Sequence, residues 1–373
     1  MMKSMLRIAP GRVPFAWRKL VTAGVIAACA PAVTASYPAS AAVEQLQSIH
    51  WSLETNGPGK DGSEIQLTVD SRWGANSRST WSNSRGIEEL QGLSRAQLMG
   101  PTQPVRFSLV KEAGRLDCGG TAGSGRGSGA CGFTPDVGFA TFLDARRIGR
   151  PDLHQAYALT MSGVGRDLID ALANGGFATP TVDELTSMGI QGVTPDYVRA
   201  LAGLGYHLSA QDLVAFKIHG VKPEEIREYA SIGAALQRIS PQELISLRIH
   251  GVKPSYVREM AAIDPGLRNL SADDLVSMAI HGVSPSLVRA YVQFDDRSPS
   301  SEDLVSMAIH GVTADYVERF ASLGYRNLSA EDFVTLSIHG VTPDYVRRLQ
   351  QSGMTRISAD QLVRLRLAGF EPR

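Results

Sequence analysis

Five of the eight histidines in this 373-residue chain stand immediately before a glycine: His219, His250, His281, His310 and His339 precede Gly220, Gly251, Gly282, Gly311 and Gly340. Imidazole is a common metal ligand and titrates near neutral pH, so metal binding is the first chemistry to weigh. Two further copies of the site, at Gly192 and Gly369, carry Gln191 and Ala368 in place of His. No second His, Cys or carboxylate recurs beside each one at four-residue spacing. Units of a helical stack lie about 8–10 Å apart, whereas zinc needs each nitrogen within about 2.0–2.1 Å. A shared metal does not fit that spacing. The residues read instead as structural, with His219 sharing the stripe of Leu213 and Phe216 and partly buried at the C-terminus of a helix whose apolar face is Leu213, Val214, Phe216 and Ile218. No metal and no cofactor is expected.

A second recurrent group is cationic. Arg199, Arg227, Arg258, Arg289 and Arg347 occupy one repeat position, broken by Glu318. Such a ladder could bind phosphates or bond the acids of neighbouring repeats. Residues 181–373 hold 19 Lys or Arg against 23 Asp or Glu, a net of 19 − 23 = −4, and the whole chain is balanced at 37 of each. Nucleic acid requires a basic face. The phrase Ser162-Gly163-Val164-Gly165-Arg166 resembles a DNA-binding helix-hairpin-helix loop, but the other copies lack its second glycine. No nucleic-acid partner is expected.

Cys118 and Cys131 flank a glycine-rich stretch, Gly119 to Gly129. It lacks the Lys-Ser/Thr of a phosphate-binding loop and the crossover helix of a dinucleotide site. A disulfide closing a glycine-rich loop is the better reading, which suits an oxidising compartment. Motifs for a metallopeptidase or a serine nucleophile are missing, so a non-enzymatic chain is expected.

The elements that would position these residues are repeats. Glycines 192, 220, 251, 282, 311, 340 and 369 are separated by 28, 31, 31, 29, 29 and 29 residues, a period typical of stacked supersecondary units. Eleven residues before each glycine stands a hydroxyl (Thr181, Ser209, Ser240, Ser271, Ser300, Ser329, Ser358), followed three later by an acid or, at Gln361, an amide. This is the pattern of a capping box. The glycine suits a left-handed helix end. A second helix then starts at Thr194, Ser284 or Thr342 with Pro195, Pro285 or Pro343 in its first turn, Ala314 replacing the proline once. Helices this short need stacked neighbours to bury their apolar faces. A degenerate copy opens the stack at Leu153 to Leu172, and the last copy is truncated.

Residues 43–148 read as a small antiparallel β domain, because Ile49–Leu53, Ile65–Val69 and Val105–Leu109 alternate apolar and polar. Leu116–Cys118 and Ala130–Phe133 form a hairpin around the glycine-rich loop, and Ser71 to Asn83 is a long polar loop. Helices begin near Phe139. At the front, Lys3, Arg7, Arg12, Arg18 and Lys19 precede the apolar run Leu20 to Ala30, and Ala39-Ser40-Ala41 is a cleavage motif. Residues 1–42 therefore read as a secretory signal, whose apolar run is too short to span a membrane. Cys29 leaves lipidation, and membrane attachment through it, as an alternative.

The phrase Ile-His-Gly-Val-Thr-Pro-Asp-Tyr-Val-Arg, Ile338 to Arg347, resembles the repeat of exported bacterial envelope proteins. Similar repeats are attached to zinc-dependent membrane sensor peptidases of the beta-lactam-sensing type. The resemblance covers residues 150–373. It implies an envelope setting and a recognition role, and carries over no catalytic residue, since the peptidase's zinc motif is absent from this sequence. The expectation is thus an α+β chain, with signal peptide 1–42, β domain 43–148 and helical-hairpin repeats 149–373. It would be periplasmic or secreted and bind an envelope protein or peptide. An envelope sensor or inhibitor, and a hydrolase or carbohydrate-active β domain, stand as alternatives.

Overall fold

Alternation in the first half builds a sheet. The computed structural model describes residues 46–55, 64–74, 77–295, 297–326 and 328–371. The signal segment, Cys29, Ala39-Ser40-Ala41 and Pro372 lie outside them. Among the described residues seven strands form one antiparallel sheet: β1 (Leu46–Thr55), β2 (Glu64–Trp73), β3 (Ser77–Gly86), β4 (Leu90–Gln91), β5 (Gln103–Lys111), β6 (Gly114–Gly123) and β7 (Arg126–Pro135). The spatial order is β3-β2-β1-β7-β6-β5-β4. Trp51 lies opposite Val69 on one side and Gly129 on the other. Ile49, Trp51, Leu53, Ile65, Leu67, Val69, Val105, Phe107 and Leu109 turn into one core, while His50, Ser52 and Glu54 stay outside. The short helix α1 (Arg95–Met99) adds Leu98 to that core.

Two polar segments expected to be loops are strands. The glycine-rich stretch forms the paired strands β6 and β7, closed by a two-residue turn at Ser124 and Gly125, whose φ values are +52° and +78°. Positive φ at both residues gives the twist that a tight hairpin needs. Cys118 and Cys131 sit directly opposite each other and are joined as a disulfide. Gly127 and Gly129 leave room for the facing strand and for Trp51. A Cβ at Gly127 would stand 3.0 Å from its ring, and one at Gly129 would stand 2.8 Å from its Nε1 and 2.1 Å from the Gly119 carbonyl oxygen. Glycine inside a strand marks such close approach. The segment Ser71–Asn83 is the end of β2 and most of β3. Its pairing rests on polar contacts across the strands, among them Thr68 Oγ1 with Ser82 Oγ at 2.8 Å and Thr80 Oγ1 donating to Asp70 Oδ1 at 2.5 Å.

Helices follow α2 (Val137–Ala145) in two alternating rows. The first row is α3 (Leu153–Ser162), α5 (Val182–Ile190), α7 (Ala210–His219), α9 (Pro241–Ile249), α11 (Ala272–Ile280), α13 (Ser301–Ile309), α15 (Ala330–Ile338) and α17 (Ala359–Leu367). The second is α4 (Arg166–Asn174), α6 (Pro195–Ala202), α8 (Pro223–Ile232), α10 (Pro254–Ile263), α12 (Pro285–Phe294), α14 (Ala314–Ser322) and α16 (Pro343–Gln351). Each helix packs on the next member of its own row. Helix α3 also packs on β6 and β7, placing Tyr157 and Met161 in the sheet core. Sheet and array thus belong to one compact unit, Gln45–Arg373.

The start and stop signals behave as their chemistry requires. All seven cap hydroxyls of α5, α7, α9, α11, α13, α15 and α17 accept the amide three residues on, and all but Ser209 complete the reciprocal capping box. The seven glycines have φ between +66° and +74°. The amide after each one returns to the helix, as where Val221 donates to Phe216 O at 2.8 Å. That turn places a Val, such as Val221, Val283 or Val341, in the core beside the Leu and Phe, Met or Leu of its helix.

Candidate binding surface

The same turn explains where the histidines go. Val221, at 3% exposure, takes the place in the Leu213–Phe216 stripe that His219 was expected to share. His219, His250, His281 and His310 are exposed and His339 is half-exposed. At two of them the backbone carbonyl serves the array. The carbonyl of His219 accepts from Arg248 Nε at 3.4 Å, and that of His310 from Ser337 Oγ at 2.6 Å, each donor belonging to the following repeat. Among the described residues no group of three or more His, Cys, Asp or Glu could hold a metal ion.

Beside each histidine position lies an aliphatic residue facing solvent. Ile190, Ile218, Ile249, Ile280, Ile309, Ile338 and Leu367 are between 52% and 67% exposed. This corrects the placement of Ile218 on the buried face. Period alone could have found it: Leu213, Phe216 and Val221 already fill the buried stripe, and Ile218 falls two residues past Phe216, off that stripe. Single exposed aliphatics are ordinary. These seven occupy one register, one in each repeat.

Seven residues earlier on each first-row helix after α3, and so on the same face two turns away, stand Asp183, Gln211, Gln242, Asp273, Glu302, Glu331 and Asp360, all exposed. Helices α11, α13 and α15 contain no Lys or Arg. Between α11 and α13 the acid and aliphatic ends enclose a groove of about 250 Å³, lined by Asp274, Ser277, Glu302, Val305, Ser306, Ile309 and His310. Asp274 is fixed in it. Burial opposes its charge, yet the hydroxyls of Ser271 and Ser301 hold its carboxyl below the usual carboxylate range.

Tyrosines in the second-row helices set the spacing of these rows. The hydroxyls of Tyr197, Tyr256, Tyr316 and Tyr345 donate to the carbonyls of Val221, Val283, Val341 and Phe370 at 2.8, 2.9, 2.6 and 2.9 Å. Each acceptor is the residue after the conserved-position glycine of the next repeat. Where Glu225 replaces the tyrosine, Tyr229, one turn later, reaches the equivalent carbonyl of Val252 at 2.5 Å. Burial pushes Tyr256 up to about 12, and Tyr197, Tyr229 and Tyr316 rise for the same leading reason. The sequence phrase contains these tyrosines, but nothing in it points to the carbonyl of a neighbouring unit.

The arginine row is committed to carboxylates. Arg199 and Arg347 pair with Asp196 and Asp344 on their own helices, Arg227 approaches Glu224 at 3.7 Å, and Arg258 and Arg289 reach back to Glu228 and Glu259 of the preceding repeat. A phosphate would have to displace those acids. Arg166, in the loop that resembles a DNA-binding hairpin, is held by Glu112 at 2.7 Å.

The aliphatic row begins at a cleft. Edge strand β3, residues 79–85, faces the ends of α3 and α5 across about 680 Å³, with Lys111, Gly163, Ile190 and Gly192 completing the lining. Glu89 bridges the two cations there, Arg85 at 2.9 Å and Lys111 at 2.7 Å. What the whole arrangement offers is a graded surface of acids, hydroxyls and aliphatics. No protein family matches the chain, and no curated protein matches it.

Proposed function

We propose that this chain is an exported, non-enzymatic scaffold whose helical array binds another protein or a peptide. The observation that carries the reading is the row of seven exposed aliphatics, one per repeat, at a position where buried packing has no need of them. Solenoid-like arrays commonly present extended binding faces of this kind. The basic and then apolar leader of the sequence, and a disulfide between Cys118 and Cys131, support a periplasmic or secreted setting. Likeness of the Ile338–Arg347 phrase to repeats of exported envelope proteins supports a bacterial envelope partner.

The test is crosslinked capture from envelope extract with the full chain, compared with an Ile280→Ser, Ile309→Ser, Ile338→Ser triple variant. All three residues are exposed, so folding should survive, and circular dichroism melting checks that. A partner crosslinked to the array and lost from the variant is the expected result. Equal capture by both proteins, or crosslinks confined to the sheet, would refute the reading.

A further inference from the structure

The aliphatic row is one half of a two-sided strip, and the other half fixes the chemistry of what it takes. On α11, α13 and α15 the exposed ends are Asp273, Glu302 and Glu331 at one edge and Ile280, Ile309 and Ile338 at the other. The interval of seven residues puts each pair on one face, about 10 Å apart along the helix axis. Neither an ion pair nor a hydrogen bond engages the side chains of Asp273, Glu302 or Glu331 among the described residues, and these helices contain no Lys, Arg or His. Three parallel helices therefore repeat the same pattern: a free carboxylate, a hydroxyl, an aliphatic. The Tyr316 hydroxyl ties the α13 unit to Val341 behind α15, and the Tyr256 hydroxyl ties the preceding unit to Val283 behind α11.

Charge complementarity names a cationic and apolar occupant, and the spacing of the rungs names its conformation. Helices packed side by side stand about 8–10 Å apart. A polyproline II chain advances about 3.1 Å per residue with three residues per turn, or about 9.3 Å per turn, and its side chains point in three directions. One turn therefore matches one rung. One file of side chains can lie on the isoleucines, a second can meet the acids, and the third stays in water. A β-strand repeats every two residues, about 6.6–6.8 Å, and falls out of step within two rungs.

We propose that the α11–α13–α15 strip binds an extended peptide segment in the polyproline II conformation, carrying one apolar and one basic residue in each triplet. The proposal rests on the scaffold reading above and specifies its ligand. Its energy comes from aliphatic burial, its orientation from the acid row, and its length selectivity from the number of rungs engaged.

The experiment uses the full chain and fluorescently labelled synthetic peptides, read by polarisation at low and at high salt. The probe is a peptide of four Leu-Pro-Lys triplets. Its comparisons are an alternating Leu-Lys peptide of the same length and a Leu-Pro-Glu analogue. The triplet peptide should bind more tightly than either. Its affinity should fall at least about tenfold in the Ile280→Ser, Ile309→Ser, Ile338→Ser variant, the scale expected when one buried aliphatic contact is lost. An Asp273→Asn, Glu302→Gln, Glu331→Gln variant should weaken it at low salt and abolish most of the salt dependence. Equal or tighter binding of the alternating peptide, binding indifferent to both variants, or no binding at all would overturn the proposal. If the triplet peptide fails while envelope capture still depends on the isoleucines, the scaffold reading survives and this ligand assignment alone is lost.

Discussion

At the scale of single residues, the tyrosine hydroxyls do the joining that the repeated phrase does not announce. A hydrogen bond of this kind contributes about 0.5–1.5 kcal/mol net, and more is lost when its removal strands a buried carbonyl. Tyr256→Phe and Tyr316→Phe should each lower stability by about 1–2 kcal/mol in urea denaturation. Tyr229→Phe should do the same although it sits one turn later, because its hydroxyl reaches the equivalent acceptor, Val252 O. A phenylalanine variant at Tyr229 with no effect would show that this bond is dispensable. The same hydroxyls limit the alkaline range. Their folded pKa values lie above the unfolded value near 10, with Tyr256 at about 12, so they favour the folded state fully below pH 10. That contribution fades as pH climbs from 10 towards the folded values, and the melting temperature should drop across that window more steeply than in the Tyr256→Phe variant.

At the scale of elements, legibility depended on whether a residue's role was local. Capping hydroxyls such as Ser271 and the acids three residues on, the left-handed glycines and the first-turn prolines act within their own helix, and all could be read directly. The polar segment Ser71–Asn83 could not, because β3 is an edge strand without a buried apolar file. Its partners are the hydroxyls and amides of β2, such as Thr68 and Gln66 with Ser82. Glycines misled for a related reason: Gly127 and Gly129 make room for an indole more than seventy positions earlier in the chain, and Gly120 for the Ser128 carbonyl, so a stretch that reads as a loop is paired strand. A pair of substitutions separates these roles. Gly129→Ala drives a Cβ to 2.1 Å from the Gly119 carbonyl oxygen and should cost several kcal/mol, about 4 or more, a loss large enough to block folding. Gly132→Ala, three residues along the same strand, meets nothing within 4 Å and should stay within about 0.5 kcal/mol of the parent. Comparable losses for the two would mean that intrinsic strand propensity, not the close approach of Gly119 and Trp51 to Gly129, governs this hairpin.

At the scale of the whole molecule, each helix contacts its neighbours in the row, and the two rows are tied one repeat to the next. That arrangement has a mechanical meaning. Past α3 and Arg166, which hold on to the sheet, the helices of the array pack on adjacent repeats, so drawn out from its far end it should surrender its repeats one after another. Each step frees 28 to 31 residues, about 100 Å of contour at roughly 3.3–3.6 Å per residue. Single-molecule force spectroscopy should record a run of near-equal steps of that length; one cooperative rupture of the full array would contradict it. The sheet should behave otherwise, since the Cys118–Cys131 bridge spans 13 positions and withholds about 40 Å of contour until it is reduced. Under load, this protein would thus act as a series of yielding links fastened to a covalently shortened anchor.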